Sequence, residues 1–206
     1  MAIAHGVDGS TRPPAIELSD ALDAFVDVIA HVDAADWARQ SMCAEWSVAE
    51  VVLHTISITD KFSAFARGET DAPRGRDLRG IAVDDISAQL ARAVRESHDA
   101  WSAVDLARYC ALPFGRFSTV DAEAINIMDL LVHGWDIAHA LGRDYRMPAA
   151  PTTRAVAMAQ RLVTPESVTD GQFASRIGPR ADKRGQELLL WLTGRTPVTA
   201  NPTGPR

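Results

Sequence analysis

Ser118 to Gly142, STVDAEAINIMDLLVHGWDIAHALG, has the length and composition of a helix whose polar residues stand where a core should be. At about 100° per residue, Asp129, His133 and Asp136 fall within an arc of roughly 60°, which Ala140 extends by one turn. Ile125, Met128, Leu131, Val132, Trp135 and Ile137 surround that stripe. An unpaired charge embedded in apolar surface is costly, and a bound cation removes the cost. The stripe is therefore expected to form one wall of a metal site. Ser118 or Thr119 supplies the N-cap and Gly142 the C-terminal stop.

A second helix can supply the facing wall. Ser47-Val48-Ala49-Glu50 fits the S-x-x-E capping box, followed by an apolar face of Val51, Val52, Ile58, Phe62 and Phe65, with Gly68 as the stop. His54 falls on that face. A lone histidine there is ordinarily a satisfied core residue, and only a second cluster of donors elsewhere makes it a ligand. The Asp129–His133 stripe is such a cluster. Asp60 and Lys61 read as the exposed side of the same helix.

The remaining segments follow the same helical logic. Leu18, Leu22, Phe25, Val26 and Ile29 are helically spaced from Ile16 onward, and His31 near the end is placed to meet the helix dipole. Residues 33–46 form a connection carrying Cys43 and two tryptophans. The Gly-, Arg- and Asp-rich stretch 69–80 reads as a solvated loop. Asp84 or Asp85 caps a helix with the face Ile86, Leu90, Val94, Trp101 and Val104, leaving His98 exposed. Residues 109–117 are β-like and broken by Pro113 and Gly115, as in a short hairpin. Thr152 or Thr153 opens a further helix closed by Thr164-Pro165, residues 166–179 are irregular, and 181–193 hold a last helix faced by Leu188, Leu189, Trp191 and Leu192. An all-α bundle is expected, with residues 1–14 as a lead-in, 15–196 as one domain and 197–206 as a tail.

Composition narrows the function. A formal charge of −6 without a Lys/Arg cluster argues against a nucleic-acid footprint and for small-molecule partners. No apolar run reaches the roughly 18 residues of a membrane span, and the N-terminus lacks a signal-peptide core, so a cytoplasmic protein is expected. Cys43 and Cys110 fit neither a disulfide framework nor a cysteine zinc ribbon, and reduced thiols are the default. Phosphate-binding and serine-nucleophile motifs are absent.

An i, i+4 carboxylate and imidazole project from adjacent turns of one helix, and helices of a bundle bring donors from facing positions together. Asp129, His133 and His54 then make two imidazoles and one carboxylate. That set suits Zn²⁺ with an open position, and also accepts Ni²⁺ or Fe²⁺. Asp136, one turn beyond His133, either orients a ligand imidazole, acts as a base, or pairs with an arginine such as Arg143. His139 lies off the stripe.

Three motifs carry a family likeness: Cys43-Ala44-Glu45-Trp46-Ser47-Val48-Ala49-Glu50-Val51-Val52-Leu53-His54, then Asp129-Leu130-Leu131-Val132-His133-Gly134-Trp135-Asp136-Ile137-Ala138, then the stretch from Leu188 ending Thr193-Gly194-Arg195-Thr196-Pro197. In this order they resemble the mycothiol-dependent maleylpyruvate isomerase family, within the DinB-like superfamily. The resemblance implies a DinB-like four-helix bundle with additional C-terminal helices, and a divalent metal, zinc above all, held by His54, Asp129 and His133. In the isomerase the acidic position is a Glu, and here it is the shorter Asp129. Mycothiol is implied as cosubstrate. A thiol displacing metal-bound water would lose its proton near neutral pH and attack a small electrophile, for isomerisation or S-transfer. The competing class is a non-catalytic DinB-like metal-binding or stress-response module. Both leave a homodimer open.

Overall fold

The computed structural model describes residues 15–195 apart from 44, 172, 177 and 181. The expected lead-in of residues 1–14 and the tail of 197–206 lie outside the described residues.

Four helices close a ring. α1 (Ala15–Ile29), α2 (Val48–Arg67), α3 (Ile86–Ser102) and α4 (Thr119–Ala140) pack as α1 on α3, α3 on α2, α2 on α4 and α4 on α1. Leu18, Ala21, Leu22, Phe25, Val28 and Ile29 turn inward from α1, while Val26, expected on that face, is exposed. His31 Nδ1 donates to the Asp27 carbonyl at 2.7 Å, the helix-end role expected of it.

α2 starts where its capping box says it should: Ser47 Oγ accepts from the Glu50 amide, and Glu50 accepts from the Ser47 amide at 2.7 Å. Asp60 is a correction. It is buried rather than exposed, because Arg92 of α3 grips it through two 2.9 Å hydrogen bonds. Arg76 joins Glu96 of α3 at 2.9 Å, so residues 69–80 bridge α2 and α3 rather than float in solvent. That loop also lies hard against α2: a Cβ on Gly75 would stand 1.9 Å from the Ser57 carbonyl.

α3 is preceded by a 3-10 turn, Val83–Asp85, and Asp85 at its N-cap makes no side-chain capping bond. Its buried side is Ile86, Leu90, Ala93, Ser97, Ala100 and Trp101, with Val94, Val104 and His98 half-buried at the margin. The antiparallel hairpin β1 (Tyr109–Leu112) and β2 (Gly115–Ser118) then delivers the chain to α4, Tyr109 pairing with Ser118. Ser118 Oγ accepts from the Asp121 amide at 3.2 Å, fixing the N-cap.

α4 is the hub. Apart from Asp129, every residue from Ala122 to Ala138 is buried, because α1, α2 and α5 (Ala149–Leu162) all lie against it. α5 begins three residues before the expected Thr152. The hydroxyls of Thr152 and Thr153 donate back to the carbonyls of Pro148 and Ala149 instead of capping. α6 (Pro165–Thr169) occupies part of the stretch expected to be irregular, through a reciprocal cap between Thr164 and Ser167 with Pro165 in the first turn. α7 (Gly185–Leu192) packs on α5 through Leu188, Leu189, Leu190 and Leu192, and Trp191 is half-buried at its edge. Among the described residues no helix is long and apolar enough to cross a membrane.

Candidate metal centre

α2 and α4 pack side by side, and the second turn of α2 meets the middle of α4. There the Nε2 of His54 lies 3.5 Å from Asp129 Oδ1, and the Nε2 of His133 lies 3.6 Å from that same oxygen. All three donor atoms fall within 4.8 Å of one another. Ligands at about 2.1 Å in tetrahedral array stand about 3.4 Å apart, so the spacing fits a single zinc-sized ion with little adjustment. The other oxygen of Asp129, Oδ2, is buried without a hydrogen-bond partner, which leaves the carboxylate under-satisfied unless a cation meets it.

Trp46 packs its ring 4.8 Å from His54 and 6.5 Å from His133. His54 keeps about a third of its side chain exposed, whereas Asp129 and His133 are largely covered. The donor set therefore opens on the His54 side, next to Trp46.

Behind His133 is a second layer. Asp136, fully buried, accepts from His133 Nδ1 at 2.9 Å. With Nδ1 committed there, Nε2 faces His54 and Asp129. The other partner of Asp136 is Arg195, whose Nε donates to Oδ1 at 3.1 Å and whose Nη2 donates to Oδ2 at 2.7 Å. Of the three expected roles of Asp136, orienting an imidazole and pairing with an arginine are thus combined in one carboxylate, and both of its oxygens are engaged by these partners rather than free to act as a base. Its arginine is Arg195 rather than Arg143, which lies beyond the glycine turn at the end of α4. Cys43 Sγ completes this layer, 3.4 Å from Asp136 Oδ2 and 3.9 Å from His133 Nδ1.

Charge follows this geometry. Burial raises the pKa of Asp136, but hydrogen bonds from His133 and Arg195 outweigh it and hold the carboxyl at about 2. Burial lowers His133, yet Asp129 and the hydrogen bonds of Asp136 and Cys43 push it up to about 10. Asp129 is held below the usual carboxylate range by His133 and His54, against the effect of its burial. An ion entering between His54, Asp129 and His133 must displace the proton on His133. Cys43, His133 and Asp136 also converge. There, however, the Arg195 guanidinium already supplies a positive charge, which leaves His54, Asp129 and His133 as the candidate cation set.

A family model described as the mycothiol maleylpyruvate isomerase N-terminal domain matches residues 18–138, more than half of the 206 residues. The chain belongs to this family. Uncharacterised proteins from two strains of Mycobacterium tuberculosis are 25% identical over 178 residues, covering 85% of this chain and 94% of their own length. The fold matches the crystal structure of a histidine-to-alanine mutant of the mycothiol-dependent maleylpyruvate isomerase, with a TM-score of 0.58 and 12% identity, over 80% of this chain and 74% of that one. Within this family member, the matched span takes in Cys43, Trp46, His54, Asp129, His133 and Asp136, and leaves out Arg195.

Three members of the site have no role in the residue patterns alone: Cys43, Trp46 and Arg195. Each lies inside a motif that carries the family likeness, but none has a spacing that links it to Asp129 or His133. His139, placed off the stripe, stacks on Trp135 at 4.6 Å instead.

Proposed function

We propose that this chain is a divalent-metal enzyme that uses a low-molecular-weight thiol, mycothiol by the name of its family, to isomerise a small electrophile or to transfer the thiol sulfur onto it. The observation that carries this reading is the donor triangle of His54, Asp129 and His133, with the two imidazoles 3.5 and 3.6 Å from one Asp129 oxygen and an open side next to Trp46. Zinc suits two imidazoles and a carboxylate best, and nickel or ferrous iron is also accepted by such a set. When bound, the cation supplies Lewis acidity that lowers the pKa of a thiol entering its open position.

The chain's own groups do the rest. Asp136 and Arg195 keep Nε2 of His133 aimed at the cation position. Trp46 excludes water from one flank and offers an apolar surface to whatever enters beside His54. A small-molecule electrophile and the thiol are the partners this space accommodates, and the cytoplasm is where such a thiol is at hand.

The test starts from protein purified without added metal. One equivalent of zinc, nickel or iron per chain is expected, and it is lost in the combined His54→Ala, Asp129→Ala and His133→Ala variant. Loaded protein is then given mycothiol with maleylpyruvate and a panel of activated alkenes and alkyl halides. Cis-trans conversion without net loss of thiol identifies an isomerase, and thiol consumption identifies a transferase. Metal-loaded protein inert toward the whole panel would favour the non-catalytic metal-binding module.

A further inference from the structure

We infer that Arg195 is a positioning residue of the metal centre, locking the Asp136 carboxylate so that His133 presents Nε2 to the cation. This rests on the reading of His54, Asp129 and His133 as ligands, and it adds a residue 59 positions away from the one it grips.

The sequence end of α7 explains how the guanidinium gets there. Gly194 takes φ +78° just past the helix. Its amide donates to the Trp191 carbonyl at 3.2 Å, and the Arg195 amide donates to the Leu190 carbonyl at 2.7 Å. Those two bonds form a Schellman turn, which fixes the direction of the chain where Arg195 leaves it. The side chain is then held at both ends: Nη1 donates to the Thr193 carbonyl at 2.8 Å, while Nε and Nη2 take both oxygens of Asp136. A guanidinium forked on a carboxylate sets the plane of that carboxylate as well as its charge. Asp136 is fully buried, so its carboxylate depends on these partners rather than on bulk solvent. The plane matters because Oδ2 also accepts from His133 Nδ1, and a ligand imidazole is oriented by the partner of its distal nitrogen. Cys43 Sγ, 3.7 Å from Nη2, borders the same pair and keeps the segment before α2 against it.

The experiment is a Co²⁺ titration of chelator-stripped protein, read by the visible ligand-field bands, for wild type, Arg195→Ala, Arg195→Lys, Asp136→Asn and the Asp136→Asn/Arg195→Ala double variant. Loss of Arg195 should weaken Co²⁺ binding about 10- to 100-fold, the range for a partner of a metal-bound histidine. Lysine should restore part of the loss, since it returns the charge without the fork. Because Arg195 acts through Asp136, its removal should cost little more in the Asp136→Asn background. Gly194→Ala gives a second route that touches no charged group: its Cβ would stand 2.5 Å from the Ala174 carbonyl, so the turn must shift and carry Arg195 with it. The same loss of affinity is expected there. Co²⁺ affinity in Arg195→Ala within about 2-fold of wild type, or fully additive losses in the double variant, would overturn this inference alone. A wild type that takes up no Co²⁺ overturns the metal reading and this inference with it.

Discussion

At the residue scale, Asp136 is the hinge between a structural ion pair and a candidate ligand. Asp136→Asn keeps an oxygen for His133 Nδ1 but strips Arg195 of its counter-charge in a buried setting. Removing one partner of such a pair costs roughly 3 kcal/mol. The variant should therefore lose both stability in urea and about 10- to 100-fold in metal affinity. Unchanged values of both would place Asp136 outside the centre. Glu123 gives a pH signature of its own. It is fully buried on α4, with Arg154 Nη1 2.7 Å from Oε2 but poorly aligned, since that nitrogen donates properly to Glu17 at 2.8 Å. Burial outweighs Arg154 and raises the Glu123 carboxyl from 4.5 to about 7. A raised carboxyl binds its proton more tightly when folded, so its contribution is fully present below pH 4.5 and is lost as pH rises through about 7. The difference in urea midpoint between wild type and Glu123→Gln should move in the variant's favour between pH 5 and pH 8. A difference that is flat with pH would contradict the assignment.

At the element scale, the pairing of α2 with α3 depends on Asp60, Arg76, Arg92 and Glu96 as well as on Phe65, whose ring lies 6.2 Å from that of Trp101. Asp60→Asn leaves Arg92 in a largely covered position without its bidentate acceptor, a loss on the order of 3 kcal/mol. The melting temperature should fall while metal stoichiometry stays at one per chain, because Asp60 faces α3 and His54, the one candidate donor on α2, faces α4. Metal loss in this variant would mean that the two faces of α2 are coupled. The starts and stops of these elements differ in how openly the sequence declares them. Ser47 with Glu50, and Ser118, announce their helices through local chemistry alone. The start of α5 is hidden, since Thr152 and Thr153 can cap or can donate to the preceding turn, and in the folded chain both donate to carbonyls four residues back. Thr164-Pro165 was equally open to two uses: the same pair that ends α5 begins α6.

At the scale of the whole molecule, a cation between His54 and the Asp129–His133 pair would tie α2 to α4 across the bundle. Binding only the folded state stabilises it by RT ln(1 + [L]/Kd), about 2.7 kcal/mol when the free metal is a hundredfold above Kd. Thermal melts in chelator should therefore fall several degrees below melts in excess zinc. Equal melting temperatures would indicate that the two helices are not joined through a metal.

Periodicity and local spacing in the sequence by itself were enough for the helical class and the hub helix, and they grouped His54, Asp129 and His133, whose donor atoms do converge, as candidate ligands. Asp129 and His133 share a stripe through the 3.6-residue turn, and the capping box fixes the phase of His54 on α2. The same spacing also placed Asp136 beside His133, three residues on. The partner of Asp136 could not be read in this way. Arg143 is near in sequence, but the turn at Gly142 carries the chain away from the stripe, whereas Arg195 is brought back by α5, α7 and the turn at Gly194. Cys43, Trp46 and the buried state of Asp60 were likewise decided by tertiary structure. Each depends on which side chain from a distant element lies within hydrogen-bond or van der Waals reach, and that distance is set by packing rather than by position along the chain.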